Sequence, residues 1–388
     1  MMRSIVAAGL LLAFVSVSCA QNIVVDNTSS GFASRTGIAV PLFLYHGLDS
    51  PFGYNSADFV AQMDWLKNNG FNTITLDHYR SWAQTGSPAL PPKPIILTFD
   101  DNYLSIYTVA FPTLQARGFT GVNYAHTHYV GVMTSYDHAD WNECTEMEQA
   151  GVIFTESHTV MHYNLTTLST AAMDTELINS KNAIQANIPG KVCKHLAYPY
   201  GGYNATVIAR TQAAGYQTAT TTLSGVNVRT TPLYELRRYG INPNTAPATF
   251  QSSANAGLGS GAWGTSNSEA APYGTNYATA PAGTGHSQAI WSFTVPANGS
   301  YEVSAWWTSH SNRATNAPYT VFHAGGQTTV QVNQQQNGGQ WNALGQFTFQ
   351  TGKTYFVTLN DHANGVVVAD AIRVQSLPSA AADWTLYE

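Results

Sequence analysis

Two rhythms of apolar and polar positions follow one another along this chain. Up to about residue 240, short runs of β-branched and aromatic residues alternate with stretches whose apolar residues recur at helical spacing. Residues 39 to 47 read as a strand with a polar tip at His46, and residues 72 to 76 and 121 to 125 as further strands. Between the first two, Phe59, Met63, Trp65 and Leu66 lie at helical spacing over residues 56 to 69, with Ser56 as cap and Gly70 as stop. A later helix is expected to run through Leu114 to Gly118. Short strands alternating with helices predict an α/β domain with a mostly parallel sheet. At its centre stands Ile95-Ile96-Leu97-Thr98-Phe99, an apolar run that ends on Asp100 and Asp101.

Beyond Asn242 the pattern changes. Short apolar runs at residues 290–295, 301–307, 319–322, 328–332, 344–349, 355–359 and 372–374 are separated by Gly and Asn turns, and Arg313, Lys353 and Arg373 are the last basic residues. This is the pattern of an all-β antiparallel sandwich, for which no helix is needed. The expected division assigns residues 39–245 to the α/β domain and 251–376 to the sandwich, with 21–38 as a polar leader and 377–388 as a tail.

Residues 1–20 carry one positive charge at Arg3, an apolar run from Ile5 to Val17, and small residues around Cys19. They read as a secretory signal peptide cut after Ala20 and too short to span a bilayer, so the chain is expected to be extracellular or periplasmic. Lipidation at Cys19 is the alternative. Composition agrees, since only 10% of the 388 residues are charged while 12% are aromatic. A net charge of -6 offers no basic field to a phosphate backbone, which excludes nucleic acid as a partner. Nothing in the sequence indicates an oligomeric state. An oxidising compartment would allow a disulfide between Cys144 and Cys193, which their separation in the fold decides.

Neighbouring residues of a strand point to opposite faces, so Asp100 and Asp101 can serve one site only if the backbone turns between them. Two carboxylates held close need a metal ion or a shared proton. Standing alone, the pair reads first as a loop start or a helix cap. His158 and His162 are four apart, and at helical or turn spacing both imidazoles can face one point, as transition-metal ligands do. Two unrelated polar residues would give the same spacing. The third piece, Ala197-Tyr198-Pro199-Tyr200-Gly201-Gly202-Tyr203, is an aromatic and Gly-rich turn after a short apolar run.

Taken in this order, the three pieces resemble the motifs of the polysaccharide deacetylase family, the NodB-homology domain or carbohydrate esterase family 4, over roughly residues 39 to 240. Thr98 to Asp101 matches its Thr-Phe-Asp-Asp motif, and His158 to His162 its His-Ser/Thr-x-x-His motif. The resemblance implies a distorted, incomplete (β/α) barrel. It implies one divalent metal ion, zinc before cobalt, nickel or manganese, held by Asp101, His158 and His162. By the same resemblance Asp100 is the catalytic base, the Tyr200 N–H stabilises an oxyanion, and Tyr198, Pro199 and Gly201 lie along the substrate. The activity implied is removal of N-acetyl groups from an amino-sugar polymer such as poly-N-acetylglucosamine, a chitin-like chain or peptidoglycan glycan. The alternatives are an O-acetyl polysaccharide esterase, such as an acetylxylan esterase, and a catalytically weak glycan-binding protein.

The chain departs from the family pattern at identifiable positions. Ala197 stands where many members carry an Arg that orients the catalytic carboxylate, Asn102 replaces the usual Gly, and the Leu-x-His that supplies a general acid is not found. Tyr45-His46 and Tyr234-Glu235-Leu236-Arg237-Arg238-Tyr239-Gly240 resemble instead the branch of exopolysaccharide deacetylases. His46 is therefore the first candidate for the acid, ahead of His126 and His128. Residues 251–376 resemble the C-terminal domain of golvesin and xanthan lyase, through Trp306-Trp307-Thr308, the stretch 311–319, the stretch 337–342 and Val368-Ala369-Asp370-Ala371-Ile372-Arg373. That resemblance implies a carbohydrate-binding sandwich whose aromatics hold a glycan and raise the local concentration of the enzyme on its polymer. The simpler expectation puts Trp306 or Trp307 and Trp341 in the sandwich core and pairs Arg313 with Asp370.

Overall fold

The computed structural model describes residues 21–259 and 263–377, so the expected signal peptide and all but the first residue of the expected C-terminal tail lie outside the described residues. Its first two strands are β1 (Asn22–Asp26) and β2 (Phe32–Arg35). Both pair with remote parts of the chain: β1 runs antiparallel to residues 371–375 near its far end, and β2 to residues 288–291. The reading of residues 21–38 as a leader is thereby corrected. Strands this short show no period of their own, and their partners are distant in sequence.

The next strands are β3 (Val40–Tyr45), β4 (Asn72–Thr73), β5 (Pro94–Asp100), β6 (Gly121–Ala125), β7 (Ile153–Ser157), β8 (His195–Ala197), β9 (Thr218–Thr220), β10 (Val226–Asn227) and β11 (Tyr239–Gly240). In one curled sheet β3, β5, β6, β7, β8 and β9 are neighbours in that order, and all are parallel. The curl leaves a seam between β9 and β3. Residues 236–240 fill it, since Leu236 bridges Thr220 and β11 runs parallel to β3.

Alternation along β5 explains its unbroken apolar run. Ile95, Leu97 and Phe99 pack outward with Phe59, Met63 and Leu66 of helix α1 (Ser56–Asn68), while Ile96 faces an inner core with Leu42, Val122 and Leu236. Thr98 and Asp100 share the inner face with Ile96. Helix α1 is capped by Asn55, whose side chain accepts from the Ala57 N–H, and not by Ser56. The expected strand through Leu76 stops at Thr73. Thr75 caps helix α2 (Leu76–Thr85), which turns Tyr79 and Trp82 into the inner core.

Helices α3 (Phe111–Arg117), α4 (Trp141–Gln149), α5 (Thr170–Asn187) and α6 (Ala205–Ala213) contribute buried residues to the outer core. So does α7 (Pro247–Asn255), which lies beyond the expected end of helical structure and seats Phe250 and Ala254 against the barrel. Its Ser- and Asn-rich composition hid an i, i+4 apolar pair. Cys144 on α4 and Cys193 before β8 are both buried free thiols, which corrects the expected disulfide. The Cys144 Sγ lies 3.4 Å from Asn102 Oδ1, and the Cys193 N–H is held by Gln185, so each is engaged in its own surroundings.

Strands β12 (Gly264–Ser266), β13 (Tyr277–Ala280), β14 (Gln288–Thr294), β15 (Gly299–Trp306), β16 (Ala317–His323), β17 (Gly326–Val332), β18 (Asn342–Phe349), β19 (Thr354–Asn360), β20 (Val367–Ala369) and β21 (Ala371–Ser376) complete the chain. A sheet in the order β1-β21-β15-β18 and another in the order β17-β16-β19-β14-β2 share one core, with the short sheet β12-β13-β20 beside them. Each of the seven expected runs is a strand here. The sandwich touches the barrel through Gln288 Nε2 on the Leu90 carbonyl at 2.9 Å and the Ile38 N–H on the His286 carbonyl at 2.8 Å.

Arg313 does not pair with Asp370; it donates to Tyr277 Oη at 3.1 Å and lies 3.9 Å from Glu269. Burial pushes the Asp370 carboxyl up to about 7, although one oxygen accepts from the Tyr273 N–H. Because this folded value exceeds the unfolded one of about 3.9, its contribution is fully present below that pH and lost as pH rises through about 7. Asp370→Asn is therefore expected to raise the melting temperature more at pH 8 than at pH 5. Thermal melts at the two pH values measure this, and an equal effect at both would count against it.

Candidate active site

The carboxyl ends of the parallel strands carry the candidate residues. β5 delivers Asp100 on its inner face, and the chain then turns through left-handed conformations at Asp101 (φ 75°) and Asn102 (φ 56°). That turn brings both carboxylates to one place. Asn102 holds it with its side chain, which donates to the Ala139 carbonyl at 2.8 Å and accepts from Asn123 Nδ2 at 2.5 Å. Asn tolerates positive φ better than most residues, and here its side-chain bonds fix a turn that Gly would leave free.

β7 leads to the two histidines, which sit in a turn and not in a helix, with Thr159 (φ 69°) and His162 (φ 60°) both left-handed. Glu176 of α5 accepts the Val160 and Met161 N–H groups at 2.9 Å each and so anchors the loop. The Nδ1 of His158 lies 2.8 Å from the Ala197 carbonyl, which fixes the proton on Nδ1 and leaves the Nε2 lone pair facing the site. Nε2 atoms of His158 and His162 each stand 3.6 Å from Asp101 Oδ1 and 3.1 Å from one another. Asp101 Oδ1 is buried and accepts no hydrogen bond. An orphaned carboxylate oxygen between two imidazole nitrogens is the donor set of a divalent cation, and the three side chains could hold one metal ion with a coordination position left open.

Asp100 has a different partner. Arg238, wholly buried, forms a bidentate pair with it, Nη1 to Oδ1 at 2.7 Å and Nη2 to Oδ2 at 2.8 Å. The guanidinium also donates to the Thr221 carbonyl and to Thr98 Oγ1, so its fork is locked in the barrel interior. Burial pushes the Asp100 carboxyl up, but the Arg238 charge, with His158 and the Arg238 hydrogen bonds, outweighs it and holds the group at about 2. Arg238 thus gives Asp100 an arginine partner from a different part of the barrel than position 197. Sequence reasoning named Arg238 within the stretch 234–240 but gave it no role, although the signal was present. Leu236 faces the inner core, and alternation puts Arg238 on the same face, where an arginine requires a buried anion.

Tyr200 is 68% exposed, left-handed at φ 58°, and its ring lies 4.6 Å from that of His162. Tyr198 is fully buried and stacks on Tyr203 at 5.6 Å, and Pro199 is buried as well, so neither side chain offers a surface to a glycan. Gly201 serves packing: at φ 69° a Cβ there would stand 2.2 Å from Thr222 Oγ1. Gly201 itself stays half-buried. Gly201→Ala is expected to destabilise the domain by about 1–3 kcal/mol, read as a lower urea midpoint.

His46 is exposed at the end of β3, near enough for its charge to act on both Asp100 and His162. His126 is buried, its Nε2 3.7 Å from Asp101 Oδ1, and burial pushes it down to about 4. His128 packs on Tyr129.

Comparison with known proteins finds two families along the chain. The polysaccharide deacetylase family model matches residues 87–219, and the golvesin C-terminal domain model matches residues 249–376. A Bacillus subtilis (strain 168) protein named as a polysaccharide deacetylase is 28% identical over 233 residues, 58% of this chain and 79% of that one. The poly-beta-1,6-N-acetyl-D-glucosamine N-deacetylase of Staphylococcus aureus (strain MRSA252) is 26% identical over 174 residues, 42% of this chain and 59% of that one. A Streptococcus pyogenes deacetylase solved in complex with acetate superposes with a TM-score of 0.51 at 25% identity, covering 56% of this chain and 99% of that one. With its motif residues gathered at one mouth of an incomplete barrel, the chain carries a NodB-type polysaccharide deacetylase domain followed by a golvesin C-terminal domain.

Proposed function

We propose that this chain is a secreted, metal-dependent hydrolase that removes N-acetyl groups from an amino-sugar polymer, with poly-N-acetylglucosamine the foremost candidate. The observation that carries the reading is the Asp100–Arg238 pair beside the Asp101, His158 and His162 donors. One carboxylate is kept ionised and oriented, and another is free to bind a cation. A zinc ion on these N and O donors would polarise an acetyl carbonyl and acidify water.

Asp100, ionised at neutral pH, would take the proton of the attacking water, while Arg238 keeps the carboxylate from swinging out of line. The Tyr200 N–H, on the strained turn after β8, is our assignment for the oxyanion donor. His46, exposed at the mouth, would return a proton to the leaving amine as the C–N bond breaks. The buried position of His126 against a metal ligand suits it less well for that transfer.

The name of the Staphylococcus relative supports an N-acetylglucosamine polymer as substrate. Among the described residues no helix is long and apolar enough to cross a membrane. The sandwich would hold polymer on its outer face. There, half-buried Trp306 and Trp341 cluster with Tyr273, and Arg373 stands 5.1 Å over the Trp341 ring, whereas Trp307 is in the core.

Acetate release from N-acetylated and O-acetylated glycans, with zinc and with chelator, tests the proposal. Release from N-acetylglucosamine polymers that chelator abolishes is the expected result. Release from O-acetylated glycans alone would make the chain an esterase and overturn it.

A further inference from the structure

We infer that a cleft beside the catalytic turn binds an amino sugar that has already lost its acetyl group, next to the sugar being cut. The inference rests on the N-deacetylase reading above and adds a preference to it. The cleft encloses about 290 Å³, near the lower end for small-ligand sites. Asp49 and Phe52 from the loop after β3, Met133, Tyr136 and Asp137 from the loop between β6 and α4, and Tyr103, two residues after Asp101, line it.

The lining is aromatic: the Phe52 ring packs on Tyr103 at 4.3 Å and on Tyr136 at 4.2 Å, and the outer surface of this cluster, with Tyr136 37% and Met133 78% exposed, is open to a stacked sugar. Such a nest exposed to water fits the apolar face of a pyranose.

Its charge selects the kind of sugar. Asp49 and Asp137 both line the cleft, near enough that the Asp137 charge acts on Asp49, and no Lys or Arg lies among the lining residues. Asp49 Oδ1 is buried without a hydrogen-bond partner. A neutral N-acetyl sugar would leave that acidity uncompensated. A glucosaminyl ammonium would satisfy it, with cation–π contact to the rings.

The cleft is joined to the reacting centre. Tyr103 bridges His138, the Leu104 N–H bonds the Asp137 carbonyl at 2.8 Å, and the Asn102 side chain bonds Ala139 in the same loop. A row of rings continues from Tyr103 to His138 at 5.1 Å, to His126 at 5.1 Å and to the metal-donor His162 at 5.8 Å. A ligand in the cleft would therefore sit along the same mouth as the sugar under attack. The product of one cut would then become a ligand for the next, and free amines would accumulate in blocks.

The experiment is calorimetric titration of the full chain with glucosamine tetramer, which carries no acetyl group to lose, and with N-acetylglucosamine tetramer, at low and high salt. The glucosamine tetramer is expected to bind about three- to tenfold more tightly at low salt, and the advantage to shrink in high salt. Asp137→Asn and Asp49→Asn, which keep side-chain shape, should each remove most of the advantage while leaving thermal melts unchanged. Equal binding of the two tetramers, or a preference untouched in both variants, would overturn the inference. Failure of the deacetylase reading shows separately, as absence of acetate release from any N-acetylated polymer whatever the titrations give.

Discussion

Arg238→Met is expected to lower stability by about 3–5 kcal/mol, because it strands a buried carboxylate without its counter-charge. The loss should appear as a lower urea midpoint at pH 7. In the intact chain burial raises the Asp100 carboxyl, but Arg238 wins and the folded value is about 2, below the unfolded one of about 3.9. Stability from this group is therefore present above the unfolded value and is lost as pH falls through about 2. Without Arg238 burial dominates and the folded value moves above the unfolded one. The sign then reverses, and stability is lost as pH rises through the new value.

The gap between variant and parent should consequently narrow as the pH is lowered from neutral toward the unfolded carboxyl value, and the acid limb of the activity profile should move toward neutral pH. Adding Asp100→Asn to Arg238→Met removes the stranded charge and should restore much of the stability but none of the activity. Arg238→Lys keeps the charge and loses the fork, so it should recover stability better than turnover. An unchanged urea midpoint together with an unshifted acid limb in Arg238→Met would refute the role given to this pair.

The residues that were legible in the sequence are those whose signal is local. Asp100, Asp101, His158 and His162 sit in short ordered motifs, and the apolar runs of β5, β6 and β14 to β19 announce themselves. The features that were not read depend on distant partners. β1 and β2 belong to sheets completed near the other end of the chain. Arg238 belongs to Asp100 across the seam of the barrel, so an alanine at position 197 read as a missing arginine while a guanidinium reaches Asp100 from residue 238. Tyr198 and Gly201 lie within a recognisable motif, yet the motif does not say which of its side chains face inward. The burial of Tyr198 against Tyr203 and the close approach of Thr222 to Gly201 follow from how the segments after β8 and β9 meet, and no stretch of either states that alone.

Asp100→Asn and Asp101→Ala should separate the two neighbouring carboxylates by what each loses. Asp100 makes its close contacts with Arg238, and its nearest contact with a metal-donor histidine is 3.8 Å, to His158 Nε2. Its amide analogue cannot accept a proton but can keep one oxygen on the guanidinium. The expected result is a fall of about 10²–10⁴-fold in kcat, with metal content and KM close to those of the parent. Asp101 contributes the orphaned Oδ1 to the donor set. Asp101→Ala should lower metal affinity by well over the roughly 10- to 100-fold seen for outer-shell changes, so that acetate release disappears with the metal and is partly regained at high zinc. Elemental analysis of dialysed protein beside acetate release distinguishes the cases. Metal retained in Asp101→Ala, or lost in Asp100→Asn, would exchange the two roles and with them the identity of the base.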